Sequence, residues 1–201
     1  MKKKIIKKIA MASTMTAFAV VLNLISVRTD TSLITIYALP LLLSGILFGP
    51  LTGFLTGIAT GIIVQLFTYG LGPTTIIWIL APMSWGLVSG LVSKLFKNKI
   101  NAFTIIVNVF LSSLISLSLN TLAMVLDGLY YDYPTQYVWA NLYIRIATSC
   151  LVGVFYGFVL NYSLKTLNKI NPLQKEQQNK KEVNKLPKNK YKIKLKIDIK
   201  E

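Results

Sequence analysis

The sequence predicts an all-α integral membrane protein, a bundle of six transmembrane helices with both termini in the cytoplasm. Three observations predict it. Of 201 residues, 53% are hydrophobic and only 14% are charged, against about 25% charged in soluble domains. Mean hydropathy is +0.56. The formal charge of +15 is crowded at the ends: residues 1–8 hold five lysines, and residues 165–201 hold twelve lysines and four acids. The middle, 9–164, keeps five basic side chains (Arg28, Lys94, Lys97, Lys99, Arg145) and three acids (Asp30, Asp127, Asp132). That is too little charge to wet a soluble surface.

A transmembrane helix needs about 20 mostly apolar residues, and six such stretches occur. The first, 9–27, follows a lysine cluster as a signal peptide would. It is too long for a typical signal core and no small-x-small cleavage site follows it, so it is read as a retained helix. The next two, 33–48 and 51–67, are short. The tight Gly49-Pro50 turn between them allows either two crossings or a re-entrant hairpin. The remaining three are 75–95, 102–126 and 138–164. Residues 1–164 thus form a membrane domain and 165–201 a basic cytoplasmic tail, expected to be mostly disordered because its hydrophobicity is low and Lys, Gln and Asn are frequent.

The connections set the orientation. Lysines precede the first span, occupy the fourth connection (Lys94, Lys97, Lys99) and follow the sixth. The opposite side has Arg28 with Asp30, the uncharged turn Tyr69-Gly70-Leu71-Gly72-Pro73, and Asp127 with Asp132. Lysine-rich connections stay in the cytoplasm, so both termini are expected inside. The tail ends in Tyr191–Ile199, which alternates strictly with a strand period. It reads as a solvated tail, or as a contact with anionic inner-leaflet lipid or a cytoplasmic partner.

Enzyme chemistry is not expected. Histidine is absent and Cys150 is the single cysteine, so no internal disulfide, thiolate cluster or imidazole base can form. No H-E-x-x-H, G-x-S-x-G or phosphate-binding G-x-x-x-x-G-K-[ST] motif occurs. No catalytic residue, cofactor, metal or nucleic-acid partner is expected.

Polar residues within spans cost free energy, so their depth and face are informative. At about 1.5 Å per residue, Asn120 lies roughly 9 Å below the outer end of span five, and Arg145 roughly 10 Å below that of span six. Asn23, Tyr37, Gln65 and Trp78 fall near the outer ends of spans one to four, whereas the inner half shows little beyond Asn108. Helical phase places Ser113, Ser116, Asn120 and Asp127 on one stripe of span five, and Asn141, Arg145, Thr148 and Tyr156 on one stripe of span six. Two polar stripes at one depth suggest a shared cavity, with Tyr130, Tyr131, Trp139 and Tyr143 near its rim. The alternative is an interfacial aromatic belt with polar groups gluing helices together. A guanidinium as deep as Arg145 needs a partner: Asp127, Asp132 or an anionic ligand. An outward cavity of this kind suits a small, flat, anionic or amphipathic solute held by stacking and an Arg–carboxylate contact. The candidate binding residues are therefore Asn23, Arg28, Tyr37, Gln65 and Trp78 from the first four spans and their ends. Asn120, Asp127, Tyr130, Trp139, Asn141 and Arg145 join them from the last two.

Span one carries two small-residue faces. Ala12, Thr16, Ala19 and Asn23 make the face expected to point into the bundle. Ala10, Ser13, Thr14 and Ala17 make the other, expected to face lipid or a partner, since small residues let helices approach closely. Gly53, Gly57 and Gly61 in span three, and Gly86 and Gly90 in span four, read as internal crossings. Cys150 reads as a small packing residue.

Several stretches resemble the S components of energy-coupling factor (ECF) vitamin transporters. They are Lys7-Lys-Ile-Ala-Met-Ala-Ser-Thr-Met-Thr-Ala17, Leu24-Ile-Ser-Val-Arg-Thr29, Ala38-Leu-Pro40, Ser44-Gly-Ile-Leu-Phe-Gly-Pro50 and Ser118-Leu-Asn-Thr-Leu122. They are most similar to the folate-type branch, and the likeness covers residues 5–164. The resemblance implies a six-helix substrate-binding subunit in the bacterial cytoplasmic membrane, capturing a vitamin such as folate from outside. It also implies docking onto a transmembrane coupling protein and two cytosolic ATPases, with the small face of span one as the meeting surface. The alternatives from other classes are a self-contained carrier and a structural or assembly membrane protein without a ligand. An enzyme acting on lipid head groups is disfavoured by the missing acid pairs and histidine.

Overall fold

A chain with no water along most of its length must satisfy backbone N–H and C=O groups internally, and helix dominates accordingly. The computed structural model describes residues 2–28, 33–34, 36–97, 101–132 and 134–170. The chain divides into two units, Met1–Asn161 and Tyr162–Glu201. The second is described only over 162–170, which is helical. The expectations for the rest of the tail fall outside the described residues.

The elements in order are α1 (Lys2–Leu24), β1 (Val27–Arg28), β2 (Leu33–Ile34), α2 (Ala38–Phe48), α3 (Pro50–Val64), α4 (Thr75–Leu95), α5 (Ala102–Tyr130), α6 (Gln136–Ala140) and α7 (Leu142–Ile170). A π-helical turn, Gln65–Tyr69, continues α3. The strands pair antiparallel, with Val27 opposite Ile34 and Arg28 opposite Leu33. Among the described residues, four helical stretches are long and apolar enough to cross a membrane: Pro50–Thr68, Thr75–Leu95, Ala102–Tyr130 and Leu142–Thr166. The apolar helices Lys8–Leu24 and Ala38–Phe48 are shorter.

The second expected span, 33–48, is corrected. Its first residues form β2, and α2 has 11 residues, or about 16 Å at the helical rise. That is about half of a bilayer core of about 30 Å. Its apolar run is instead a buried core helix, with Leu41 and Leu42 fully covered. Other bounds also move, and α5 runs on to Tyr130 where span five was expected to end at 126. Span one ends at Leu24, because 27–28 turn extended to pair with β2. Span six breaks at Asn141 into α6 and α7.

Local chemistry explains the boundaries. Gly49 ends α2 at φ 92°, a left-handed backbone that favours glycine. Pro50 then opens α3 at a position where its missing N–H costs nothing. At the start of α5 the Asn101 N–H donates to the Thr104 hydroxyl at 3.4 Å, one half of a capping box.

The α3–α4 crossing holds the centre. Gly53 and Gly86 meet backbone to backbone, and a methyl group on either would collide with the other's main chain. Gly57 rests on Pro82 and Met83, Gly61 on Pro82 and Ile79, and Gly90 on Pro50. Side chains that end at Cα let the helices approach this closely, the favoured route to packing where burial from water gives no drive. Ser89 Oγ donates to the Leu42 carbonyl at 3.3 Å, tying α4 to α2.

Near the lysine-bearing end, the sequence shows little beyond Asn108. The structure shows a polar lock there. Asn108 Nδ2 donates to the Ser89 carbonyl at 2.9 Å and to Ser93 Oγ at 3.1 Å, and Ser112 Oγ reaches Asn108 Oδ1 at 3.5 Å. Asn108 is satisfied and buried, so it joins α4 to α5 as an internal fastener.

Candidate functional site

The polar stripe of α5 and that of α7 meet. Ser113 Oγ and Ser149 Oγ lie 2.7 Å apart, and one turn nearer the lysine end Gly153 faces Val109, where a methyl group on the glycine would sit in ordinary van der Waals contact with Val109 Cγ1. The two helices therefore run antiparallel in register. Ser149 was not among the expected residues. Its signal was its position four residues after Arg145, on the same helical face. Tyr156, placed by phase on the Arg145 stripe, is buried with its ring edge-on to Trp85 at 5.8 Å. It packs α7 against α4.

Arg145 lies one turn from Ser149 toward the aromatic end of the bundle. Its Nη1 is buried and has no hydrogen-bond partner. Asp127 was one of its two candidate internal partners. The structure gives Asp127 to another group: Trp78 Nε1 donates to Asp127 Oδ2 at 2.8 Å, joining α4 to α5. The indole N–H must find an acceptor when partly buried, and Asp127 supplies it. The other candidate, Asp132, sits exposed past the end of α5 at φ 55°. No ion pair to Arg145 forms among the described residues. Asp127 Oδ1 is likewise buried without a partner.

The remaining expected residues divide by position. Asn23 is buried at the aromatic end of α1, and Gln65 is buried where the π-helical turn begins. Asn120 and Tyr37 are half-buried. Asn141 stands at the α6–α7 joint, where its Nδ2 donates to the Tyr137 carbonyl at 2.9 Å. That bond braces the break and leaves the amide oxygen available. Tyr130 and Trp139 are exposed, and Tyr130 stacks edge-to-face on Tyr131 at 5.0 Å. The Tyr131 hydroxyl lies against Gly72, so the turn between α3 and α4 abuts the end of α5. Arg28 is described by its backbone in β1 only.

On α1, Thr16, Ala19 and Asn23 are buried, while Ala10, Ser13, Thr14 and Ala17 are exposed. Thr14 returns its hydroxyl to the Ala10 carbonyl at 2.9 Å, so this face offers few polar groups and little bulk. Cys150, expected as a small packing residue, is exposed.

Taken together, the aromatic half of the bundle carries a cation and a carboxylate, each with a buried atom in want of a hydrogen bond. Such an arrangement can bind a polar solute that supplies the missing donors and acceptors.

Comparison with known proteins gives the family. A family model described as ECF-type riboflavin transporter, S component, matches residues 3–170. No curated protein sequence matches. Among solved structures, the S component for biotin from an ECF-type ABC transporter superposes with a TM-score of 0.58 at 15% identity, covering 82% of this chain and 94% of that one. An S component of a bacterial ECF transporter gives a TM-score of 0.58 at 19% identity, with 80% and 97% covered. FolT bound with folic acid gives 0.55 at 21% identity, with 78% and 91% covered. At these identities the structures establish the shared fold, and the family model establishes descent. This chain belongs to the S-component family of ECF-type transporters, the multi-pass, substrate-binding subunits of these importers in the bacterial cytoplasmic membrane.

Proposed function

We propose that this chain captures a flat heterocyclic vitamin at its aromatic end, facing outside, and delivers it through a transmembrane coupling protein driven by two ATPases. The observation that carries the reading is Arg145. A guanidinium half-buried within a helical bundle, with Nη1 buried and unpartnered, is held at a cost that a bound acceptor would offset. Asp127 accepts from Trp78 through Oδ2 and forms no ion pair with Arg145 among the described residues. Asn120 lies on the facing stripe, and Gln65, Asn23 and Tyr37, at the same end of the bundle, would join it in holding the ligand. Tyr130 and Trp139 stand at the rim, where aromatic rings suit the membrane–water boundary.

Riboflavin is the substrate we put first, because the matching family model carries that description over nearly the whole membrane domain. Folate, expected from the sequence, is the second reading. An unpartnered arginine favours it, since a guanidinium fork fits a carboxylate, and FolT bound with folic acid shares the fold. The partner surface would be the exposed face of Ala10, Ser13, Thr14 and Ala17 on α1. The basic tail would lie in the cytoplasm, near anionic lipid.

The test is a titration of the purified chain with riboflavin and with folate, followed by tryptophan fluorescence. Arg145→Ala is expected to weaken binding of the true substrate by about 2–5 kcal/mol, the loss for one partner of a buried charged contact. Arg145→Lys should recover part of it, lacking the planar fork. Unchanged binding by a folded Arg145→Ala protein would make the arginine structural and remove the basis of the reading.

A further inference from the structure

We propose that Ser116 is a substrate-binding residue which, with Arg145, grips one acceptor oxygen of the ligand. The inference rests on the vitamin reading above and deepens it.

The first observation is a hydroxyl without a bond. Serine and threonine inside a helix commonly return their hydroxyl to a carbonyl one turn back. On α5, Ser118 does so to Leu114 at 2.9 Å and Thr121 to Leu117 at 2.8 Å. Ser112 bonds Asn108, and Ser113 bonds Ser149. Ser116 departs from this pattern. It is 1% exposed, and its Oγ is buried with no partner. A buried hydroxyl left so is costly, and the free energy must be recovered when something binds, or be borne as a loss.

The second observation is register. The Ser113–Ser149 bond and the Val109–Gly153 contact fix how α5 and α7 run past each other. One turn further toward the aromatic end, the same register sets Ser116 level with Arg145 and Ile146. There Arg145 Nη1 is the second buried polar atom without a partner. A long helical side chain leans toward its own N-terminus, which carries the guanidinium from this level toward Asn120. Ser116 and Asn120 are thus successive members of one α5 stripe flanking one cation on α7.

A hydroxyl donor beside a guanidinium donor recognises an acceptor oxygen. Both candidate vitamins carry one, as a ring carbonyl in riboflavin or as a carbonyl or carboxylate in folate. Ser113, bonded to Ser149, is the fastener below the site, and Ser116 belongs to the site itself.

The test compares Ser116→Ala, Ser116→Thr, Ser113→Ala and Arg145→Ala in the purified full chain. Ligand-free thermal unfolding is measured first. Ser116→Ala should unfold at the wild-type temperature or above, since no bond is lost, while Ser113→Ala should unfold lower. Riboflavin and folate are then titrated separately. For whichever binds the wild type, Ser116→Ala should weaken binding about five- to tenfold, one hydrogen bond's worth, and Ser116→Thr should restore most of it. Ligand-free destabilisation of Ser116→Ala would overturn the proposal, because the hydroxyl would then be structural. Wild-type affinity in Ser116→Ala beside lost affinity in Arg145→Ala would overturn the serine and leave the vitamin reading standing. Failure of the wild type to bind either vitamin would overturn that reading, and the serine's assignment with it.

Discussion

Trp78 and Asp127, 49 residues apart in sequence, are joined by a 2.8 Å hydrogen bond from the indole Nε1 to the carboxylate Oδ2. The bond ties the aromatic end of α4 to that of α5. It engages Oδ2 of an acid that could have served Arg145 as counter-ion, while Oδ1 stays buried without a partner. Removing the donor with Trp78→Phe would leave both Asp127 oxygens without partners. The expected loss is about 1–3 kcal/mol of stability, the cost of stranding a partly buried acceptor. Thermal unfolding in detergent measures it, and a wild-type melting temperature would show that water replaces the indole freely.

The α3–α4 crossing makes a sharper demand on side-chain size. Gly86→Ala would drive a methyl group into the Gly53 backbone, which cannot rotate away as a side chain would. Overpacking of this kind costs about 1–3 kcal/mol. Gly157 offers the control, since nothing lies within 4 Å of a Cβ built there. Gly157→Ala should be neutral or stabilising by up to about 1 kcal/mol, the helix-propensity difference. Equal melting temperatures for the two variants would contradict the crossing as described.

Orientation can be checked at two exposed residues with left-handed backbone, Lys97 at φ 54° and Asp132 at φ 55°. Lysine-rich connections belong in the cytoplasm, so a cysteine at 132 should react with an impermeant reagent in intact cells, and one at 97 only after the cells are opened. Cys150 is replaced first. Labelling at 97 alone would invert the topology.

Coupling is read at the exposed face of α1. Ala17→Trp puts bulk where a partner helix would need close approach, on the side away from buried Thr16 and Ala19. Ligand binding by the isolated chain should stay at the wild-type level, while uptake in cells and co-purification of ATPases are lost. Ala19→Trp, on the buried face, should instead disturb the bundle and weaken binding. Normal uptake by Ala17→Trp would favour a self-contained carrier.

Much of this was legible in the residues because the membrane simplifies the code. Apolar runs mark helices, and glycine at every fourth position marks close crossings. The Gly53–Gly57–Gly61 series and its partners on α4 could be read that way, and so could the two faces of α1. Asn108 was visible as a polar residue, but its partners Ser89 and Ser93 were not. Serine is common in membrane helices, and only the α4–α5 approach shows which ones an amide can reach.

By itself, then, the sequence determined what depends on composition and period: a multi-pass helical chain, its charged ends, and which faces of α1 and α5 are polar or small. Three matters were left to the tertiary structure. An apolar run reads alike in a crossing helix and in a buried one, so the half-length of α2 appeared only when Leu33–Ile34 paired with Val27–Arg28. A carboxylate can accept from any nearby donor, so the choice of Trp78 over Arg145 rested on which helices touch. The isolation of Ser116 Oγ and Arg145 Nη1 is likewise a property of their surroundings. Hydrogen bonds act over about 3 Å, and sequence distance says little about which groups the fold brings within that reach.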